Sequence, residues 1–161
     1  MNIKITNGVG KMFEKALSDI YTKFKINFYR NIFQRFEERE ASLTAVETVC
    51  VEVIHALGQP TIGQFSAFVM ISQANAAYKV QSLIKKGYVE KIQSKFDRRE
   101  YRLMVTDKFH QYYGVSQTYL QEVADRINDC FSAEEIQLFA RMLTIINDEL
   151  MPEVSLNKYE N

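Results

Sequence analysis

The feature of this sequence that most constrains its fold is a change of hydrophobic period between residues 88 and 105. On both sides of it, apolar residues recur at steps of three or four, which is typical of helices that bury one face. Within it, the runs 88–94 and 101–105 resemble short strands and are separated by the charged segment 95–100. A hairpin this small is stable only when it packs on other elements. We therefore expect a mainly α-helical protein with one small β-hairpin.

Signals for helix ends divide the rest of the chain into six helices. Thr44 with Glu47 and Thr61 with Gln64 each match a capping box, and Ser132 with Glu135 forms a third. The predicted helices are one over about residues 8–40, one from Thr44 to 57, a short one from Thr61, one from Ser72 to Gly87, one over about 107–129, and one from Ser132 to Pro152. The tail from Glu153 is expected to be loosely ordered.

Two of these helices carry apolar faces that we expect to point inward. The inward positions predicted for the second helix are Val46, Val49, Cys50, Val53 and Ile54. Those predicted for the last helix are Ile136, Phe139, Leu143, Ile146 and Leu150. Apolar faces also occur on both terminal segments of the chain. Such a chain must bury these faces against each other or against a second copy. The pattern therefore favours a dimer.

The charges are segregated along the chain, although 20 basic and 20 acidic side chains leave no net charge. Residues 79–108 hold nine basic and four acidic side chains and have a net charge of +5, whereas residues 109–161 have a net charge of −6. A phosphate backbone responds to charge within about one Debye length, roughly 10 Å. A basic face can therefore bind DNA on a neutral molecule, and residues 79–108 are the predicted contact.

The order of the middle elements predicts a winged helix-turn-helix whose fourth helix enters the major groove of double-stranded DNA. Because Ala76, Val80 and Leu83 are expected to face the core, the outward residues would be Gln73, Asn75, Tyr78, Lys79, Gln81 and Ser82. Gln and Asn side chains can pair with adenine, Tyr78 can meet a thymine methyl or a phosphate, and Lys79 can reach guanine or a phosphate. The sequence favours neither base contact nor phosphate contact for these side chains.

The tip of the hairpin supplies the second predicted DNA contact. Arg98 and Arg99 lie at the end of a rigid ribbon, from which they can reach phosphates or the minor groove. Asp97 would weaken DNA binding unless it has another role, and two residues from an arginine it can accept a hydrogen bond from the guanidinium. We therefore expect Asp97 to orient the side chain of Arg99.

The run LIKKGYVEKIQSKFDRREYRLMVTDK, residues 83–108, resembles the signature of the MarR family of winged helix-turn-helix transcriptional regulators. In that signature a Leu, two polar or basic residues, a Gly and an apolar pair enter the wing. Asp and Arg mark its tip, and an apolar residue followed by Thr leads to the next helix. The similarity extends to Leu43 with Thr44, to Gln64 with Phe65 and to Pro152, so it covers nearly the whole chain.

The resemblance implies one domain over residues 1–161, with the winged helix-turn-helix at 43–108 and dimerisation helices at 8–40 and 107–151. It implies a homodimer that binds a pseudo-palindromic operator as a repressor. We expect no cofactor. It also implies that Arg99 is the wing arginine and Asp97 its partner. The recognition positions would be occupied by Ala74, Asn75, Ala77 and Tyr78.

Two departures from the family pattern bear on that inference. The recognition positions lack the small hydroxyl residues and the Arg that are usual there, so the operator sequence stays open. Phe109 stands where the family usually has Gly after its Thr-x-Lys, which suggests a modified exit from the wing.

The aromatic stripe of the first helix has two interpretations. Its spacing is what any buried helix shows, so packing in the core or in a dimer is the favoured one. The resemblance implies instead a pocket for a small-molecule effector, to which Phe24, Phe28 and Val49 would contribute.

The cysteines and histidines give weak signals. Cys50 and Cys130 lack CxxC spacing and are expected to be small core hydrophobes. A metal site would need His55 and His110 together with a carboxylate such as Glu14 or Glu47, and we do not expect one. No nucleophile triad, metal-ligand pattern or phosphate loop indicates an enzyme.

No stretch approaches the roughly 18 apolar residues of a membrane span, and the start lacks the apolar region of a signal peptide, so we expect a cytoplasmic protein. The preferred hypothesis is a ligand-responsive, DNA-binding repressor that acts as a homodimer. The alternative is a helical protein-interaction module whose basic wing binds an acidic partner.

Overall fold

The computed structural model describes residues 7–37, 43–95, 97–156, 158 and 159. These residues form six helices and one two-stranded antiparallel sheet, so the predicted fold class is confirmed. In chain order the elements are α1 (Asn7–Glu37), α2 (Ala45–Leu57), α3 (Ile62–Phe68), α4 (Gln73–Lys85), β1 (Val89–Gln93), β2 (Tyr101–Val105), α5 (Asp107–Cys130) and α6 (Ala133–Glu149). The chain divides into two compact units, Met1–Ala41 and Ser42–Asn161.

The first unit is the single helix α1, which agrees with the predicted first helix as far as residue 37. Its apolar stripe is mostly uncovered, because Phe13, Leu17 and Ile20 are exposed while Phe24 and Phe28 are partly buried. Residues 38–40 of the predicted helix lie outside the described residues. A long exposed apolar stripe is typical of a surface that contacts another protein.

The second unit is built around a core shared by α2, α3, α4 and the hairpin. Its centre consists of large side chains that are almost completely buried: Ile54, Phe65, Val80, Leu83, Tyr88 and Leu103. The three predicted capping boxes are present, at the starts of α2, α3 and α6. The side chain of Ser72 caps α4 as predicted, because its oxygen accepts a hydrogen bond from the backbone N–H of Asn75. Caps and core together fix where each helix begins.

The buried face of α2 differs from the predicted one. Cys50 and Ile54 are buried as expected, but Val46 and Val49 are more than half exposed, and Glu47 and Thr48 are buried. The prediction assigned Val46 and Val49 to the core and left out Val51, which is completely buried, because the helix presents a different face to the core from the one expected. The face that α2 buries includes the charged residue Glu47, which accepts hydrogen bonds from the end of α4.

The hairpin is fixed to the helices at its base. Strands β1 and β2 pair antiparallel, with Val89 opposite Val105 and Gln93 opposite Tyr101. The backbone N–H of Leu103 donates to the carbonyl of Pro60 at 2.8 Å, so β2 also pairs with the turn between α2 and α3. The wing is therefore a continuation of the core and not a free ribbon.

Helix α5 is one continuous helix, as predicted, and α6 follows it after a short turn. Helix α6 has no buried residue, and Phe139, Leu143 and Leu150 are exposed, so the predicted burial of its apolar face against another helix or a second copy stays a prediction. Cys130 is also exposed and is not the core residue expected. The amphipathic pattern was recognised correctly, but nothing described in this chain covers it.

The tail after α6 is more ordered than expected. The backbone N–H of Tyr159 donates to the carbonyl of Leu57 at 3.1 Å, and the backbone carbonyl of Tyr159 accepts from the guanidinium of Arg102 at 2.7 Å. The expectation of a loosely ordered tail is therefore wrong at its Tyr159 end. A polar tail can be held when it satisfies a helix-end carbonyl and a buried guanidinium.

None of the helices that the structure describes has the length and apolar composition of a membrane span.

Candidate nucleic-acid interface

The outer face of α4 is the first part of the candidate site. Ala76, Val80 and Leu83 are completely buried, as predicted, and turn the opposite side of the helix outward. That side carries the exposed residues Gln73, Ala74, Asn75, Ala77 and Tyr78, with Lys79 half-buried at its edge. The side chain of Tyr78 is the most prominent of these, with 77% of the residue exposed. A free helix face with amide and phenol groups has the size and chemistry that a major groove accepts.

Two turns in left-handed backbone conformations lie before and after α4, the second helix of the helix-turn-helix. Met70, between α3 and α4, has φ 53°, and Gly87, directly after α4, has φ 79°. Gly87 is the predicted C′ glycine, because only glycine adopts this conformation without a steric cost. The turn lets the chain reverse from α4 into β1, so the wing begins beside the end of the recognition helix.

The wing tip is the second part of the site. Arg98 and Arg99 are both exposed at the turn between β1 and β2. The turn is held by hydrogen bonds, since Gln93 Nε2 donates to the carbonyl of Arg98 at 2.6 Å and the N–H of Glu100 donates to the carbonyl of Asp97 at 3.0 Å. The two guanidinium groups are therefore presented on a fixed backbone.

Asp97 binds the backbone of the wing tip, and its predicted bond to the guanidinium of Arg99 stays a prediction. Its Oδ1 accepts a hydrogen bond from the backbone N–H of Arg99 at 2.8 Å, and its own N–H donates to Ser94 Oγ at 3.4 Å. An Asp side chain that bonds to the backbone two residues later forms an Asx turn. Asp97 therefore orders the backbone of the tip, whereas the sequence prediction gave it the guanidinium of Arg99.

The last turn of α4 is engaged inside the protein. Ser82, which was predicted to face outward, donates its hydroxyl to Glu47 Oε1 at 2.6 Å, and Lys86 Nζ donates to Glu47 Oε2 at 2.7 Å. On the other side, Lys108 Nζ donates to the carbonyl of Lys86 at 2.9 Å, and the hydroxyl of Thr106 donates to the carbonyl of Gly87 at 2.7 Å. The end of α4 is thus connected to the start of α2 and to the start of α5.

These contacts divide the basic block of residues 79–108. Lys86, Arg102 and Lys108 are bound to groups of the same chain, so they hold the lobe together. Apart from Lys108, the exposed basic side chains of the block are those of Lys85, Lys91, Lys95, Arg98 and Arg99. The prediction of a basic surface stays sound, but about a third of its charge is structural.

Sequence reasoning missed Glu47 as part of this region and placed Ser82 on the outward face of α4, although Ser82 donates to Glu47. Burial opposes ionisation of Glu47, but hydrogen bonds from Lys86, Ser82 and Thr44 outweigh it and lower the pKa of Glu47 from 4.5 to about 2. Glu47 was recognised only as a capping residue, and the capping box is present. The available signal was that this charged residue lies on the same helical face as Cys50 and Ile54.

The remaining candidate residues are the two histidines and Cys50. His55 and His110 do come together, with ring centroids 5.5 Å apart, and Phe109 packs 5.0 Å from His55. Among the residues that the structure describes, no three His, Cys, Asp or Glu side chains are grouped to hold a metal ion. Cys50 is buried, and burial raises the pKa of its thiol. Buried thiols of this kind are unreactive.

The proposed effector residues lie in both units. Phe24 and Phe28 are partly buried on α1, and Val49 is exposed on α2. Their assignment to a common pocket stays a prediction.

An exposed outer face on the second helix of a helix-turn-helix, beside a hairpin that presents two arginines, is the arrangement of a winged helix-turn-helix fold. Residues 43–101 match the model of the MarR family. This match agrees, over those residues, with the resemblance found in the sequence.

Solved structures of similar fold extend over most of the chain. A MarR family protein from Bacillus stearothermophilus has 18% sequence identity and a TM-score of 0.64, and the match covers 91% of this chain and 98% of that one. Streptococcus pneumoniae FabT, solved in complex with DNA, has 23% identity and a TM-score of 0.57 over 87% of this chain and 96% of its own. Staphylococcus aureus MarR, in complex with salicylate and kanamycin, has 16% identity and a TM-score of 0.57 over 92% and 96%.

These likenesses show the fold of the chain, including its terminal helices. Among proteins with curated functions, none matches it.

Proposed function

We propose that this protein is a sequence-specific regulator of transcription that binds double-stranded DNA as a homodimer and acts as a repressor. The observation that carries the proposal is the uncovered outer face of α4, from Gln73 to Tyr78, next to a wing whose tip presents Arg98 and Arg99. Recognition helices place such a face against base edges, while arginines of a wing contact phosphates or the minor groove. No catalytic activity is part of the proposal.

The assignment of roles follows from exposure. Gln73, Asn75, Ala77, Tyr78 and Lys79 would lie in the major groove. Gln73 and Asn75 can each form paired hydrogen bonds with adenine, Ala77 can contact a thymine methyl, and the Tyr78 hydroxyl can reach a phosphate. Arg98 and Arg99 would act at the flank of the site, with the backbone turn around Asp97 holding them in place.

The proposed dimer rests on the apolar face of α6. Phe139, Leu143 and Leu150 are large, exposed and spaced along one helix, and the exposed stripe of α1 has the same character. Monomeric proteins rarely leave such surfaces uncovered. In this proposal residues 43–108 contact DNA, while residues 8–40 and 107–151 form the dimer. Two-fold symmetry then places two copies of α4 about one helical turn of DNA apart, roughly 34 Å.

The proposal also includes a response to a small-molecule effector. Staphylococcus aureus MarR was solved with salicylate and kanamycin, and this chain shares its fold. Phe24, Phe28 and Val49 would supply apolar contacts to such a ligand. An effector could release DNA only if it bound the DNA-free spacing of the two lobes more tightly than the DNA-bound spacing.

The test is binding to a duplex recovered by selection from random sequences, compared with the same duplex after its bases are shuffled. We expect a preference of at least about 1,000-fold for the selected duplex at physiological salt. The alternative, a module that binds an acidic protein partner, predicts equal binding to both duplexes and strong binding to polyglutamate. Equal affinity for the two duplexes would therefore reject the proposed function.

A further inference from the structure

The carboxylate of Glu47 joins two helices of the winged helix-turn-helix. It accepts hydrogen bonds from Ser82 Oγ at 2.6 Å, from Lys86 Nζ at 2.7 Å and from the backbone N–H of Thr44 at 2.7 Å. Ser82 and Lys86 are one turn apart and lie on the same side of α4 at its end. A single side chain therefore connects the start of α2 to the last turn of α4.

The surroundings of this carboxylate strengthen the connection. Only 11% of the Glu47 side chain and 28% of the Lys86 side chain are exposed. Charges that are shielded from water interact more strongly than the usual surface ion pair. Because the hydrogen bonds keep the pKa of Glu47 at about 2, the carboxylate stays ionised and the contact is retained at neutral pH.

Because the contact lies at one end of α4, it can control the position of the DNA-binding end. The residues proposed to contact bases occupy the first half of the helix, from Gln73 to Lys79, whereas Glu47 holds the opposite end. A helix of 13 residues is about 20 Å long, so a tilt of 10° at one end moves the other by roughly 3 Å. A displacement of that size breaks hydrogen bonds to bases, which tolerate only a few tenths of an ångström.

We propose that Glu47 is a positioning residue for DNA recognition, which sets the direction of α4 through Ser82 and Lys86 without touching DNA. The inference rests on the proposed function of α4 as a recognition helix. It assigns Lys86 to the interior of the lobe, although a basic residue at the end of a recognition helix would ordinarily be counted as a phosphate contact.

The sign of one substitution separates positioning from simple electrostatics. Replacing Glu47 by Gln removes a negative charge from the DNA-binding lobe and releases Lys86, and on charge alone both changes strengthen binding to DNA. Positioning predicts the opposite, because α4 loses the contact that sets its direction. Gln at this position can still accept a hydrogen bond from the backbone of Thr44, so the cap of α2 is retained.

The experiment compares Glu47→Gln with the matched control Glu90→Gln, which removes an exposed carboxylate from β1 of the same lobe. Affinity is measured for the selected duplex by fluorescence anisotropy, with folding verified by circular dichroism. We expect Glu47→Gln to bind about ten-fold more weakly than the wild type, because a hydrogen-bonded charge pair is lost. Glu90→Gln should bind equally or more tightly. Equal or tighter binding by Glu47→Gln would overturn the proposal.

A second variant examines Lys86 from the other side of the pair. Lys86→Gln should also weaken binding, and the slope of log affinity against log salt should stay that of the wild type. If Lys86 contacted a phosphate, the slope would fall by about one. A slope reduced by that amount would contradict the assignment of Lys86 to the interior.

Hydrogen exchange of the protein without DNA keeps this inference distinct from the proposed function. Amides in the last turn of α4 should exchange faster in Glu47→Gln than in Glu90→Gln, since local opening is easier without the contact. Unchanged exchange would refute the positioning role even if DNA binding were impaired. A wild type that prefers no duplex would refute the proposed function alone.

Discussion

The helices of the winged helix-turn-helix and the terminal helix α6 are all amphipathic. The former bury their apolar faces in a core, whereas the apolar face of α6 is exposed. Phe65 at the centre of the lobe is 0% exposed, whereas Phe139 of α6 is 45% exposed and α6 buries nothing. The lobe completes its own core within one chain. An amphipathic pattern therefore establishes that a face will be covered, but not what covers it.

The difference also separates two aspects of DNA binding. The direction of α4 is set within one chain by contacts such as that of Glu47 with Lys86. In the proposed dimer, the spacing of the two copies of α4 would depend on the surface formed by α6, which needs a second copy. Substitutions in the two regions should consequently have different effects.

The largest expected effect comes from the same substitution made in both regions. Phe65→Ala should lower the free energy of unfolding by about 3–5 kcal/mol, because it leaves a cavity in a complete core. The midpoint of denaturant unfolding should shift equally at all protein concentrations. Phe139→Ala should instead shift the monomer–dimer equilibrium, as measured by analytical ultracentrifugation.

The contrast between the two phenylalanines can be broken directly. If Phe139→Ala lowered stability by the same amount at every protein concentration and left the oligomeric state unchanged, α6 would be packed within its own chain.

Arg99→Ala tests the division between contact with DNA and assembly. Loss of the wing guanidinium should weaken binding to the selected duplex by about 10- to 100-fold, which corresponds to one charge-assisted contact. The dimer should remain intact by ultracentrifugation. Arg126→Ala, on α5, is the matched control and should bind DNA like the wild type. Unchanged affinity of Arg99→Ala would remove the wing from the interface.

Glu52 provides a smaller effect with a defined pH dependence. Burial raises the pKa of Glu52 from 4.5 to about 7, so the folded protein favours the protonated acid. Ionisation of Glu52 therefore opposes folding increasingly as the pH rises from 4.5 through 7. Glu52→Gln should match the wild type in thermal stability near pH 4 and exceed it by about 3 °C at pH 8.

Glu47 on the same helix should behave in the opposite sense. Its pKa is lowered to about 2, so its contribution to stability is present above pH 4.5 and is lost as the pH falls towards 2. A stability gain for Glu52→Gln that was equal at pH 4 and pH 8 would show that ionisation is not its cause.

The smallest effect is expected at Met70 in the turn before α4. Met70 has φ 53° and is 90% exposed. Its backbone conformation is therefore unfavourable, and its side chain contributes little packing energy to offset this. Asn adopts this conformation more readily, and Met70→Asn should raise the free energy of unfolding by about 0.5 kcal/mol. Met70→Ala, which cannot relieve the strain, should give no gain. Urea denaturation resolves the two outcomes.

Sequence reasoning predicted most of the fold because the elements carry local signals. The boxes at Thr44, Thr61 and Ser132 mark helix starts that depend only on neighbouring residues, and Gly87 marks an end that depends on backbone conformation. The hairpin followed from a change of period. All of these signals are contained within a few residues of the feature they predict.

The errors concern contacts between residues far apart in the sequence. The pairing of Glu47 with Ser82 and Lys86 spans more than 30 residues, and the bond from Arg102 to the tail spans 57. No local pattern encodes which partner a charged side chain meets. For Asp97 the sequence named one of two possible partners, because an Asp two residues before an Arg can bond to its backbone, as it does here, as well as to its guanidinium.

The most direct test of the account is the symmetry of the DNA sites selected by the wild-type protein from random duplexes. A two-fold dimer that inserts one α4 per major groove should enrich two inverted half-sites whose centres are about one helical turn, 10–10.5 base pairs, apart. Enrichment of a single site without symmetry, or no enrichment at all, would contradict the central claim that paired copies of α4 recognise DNA.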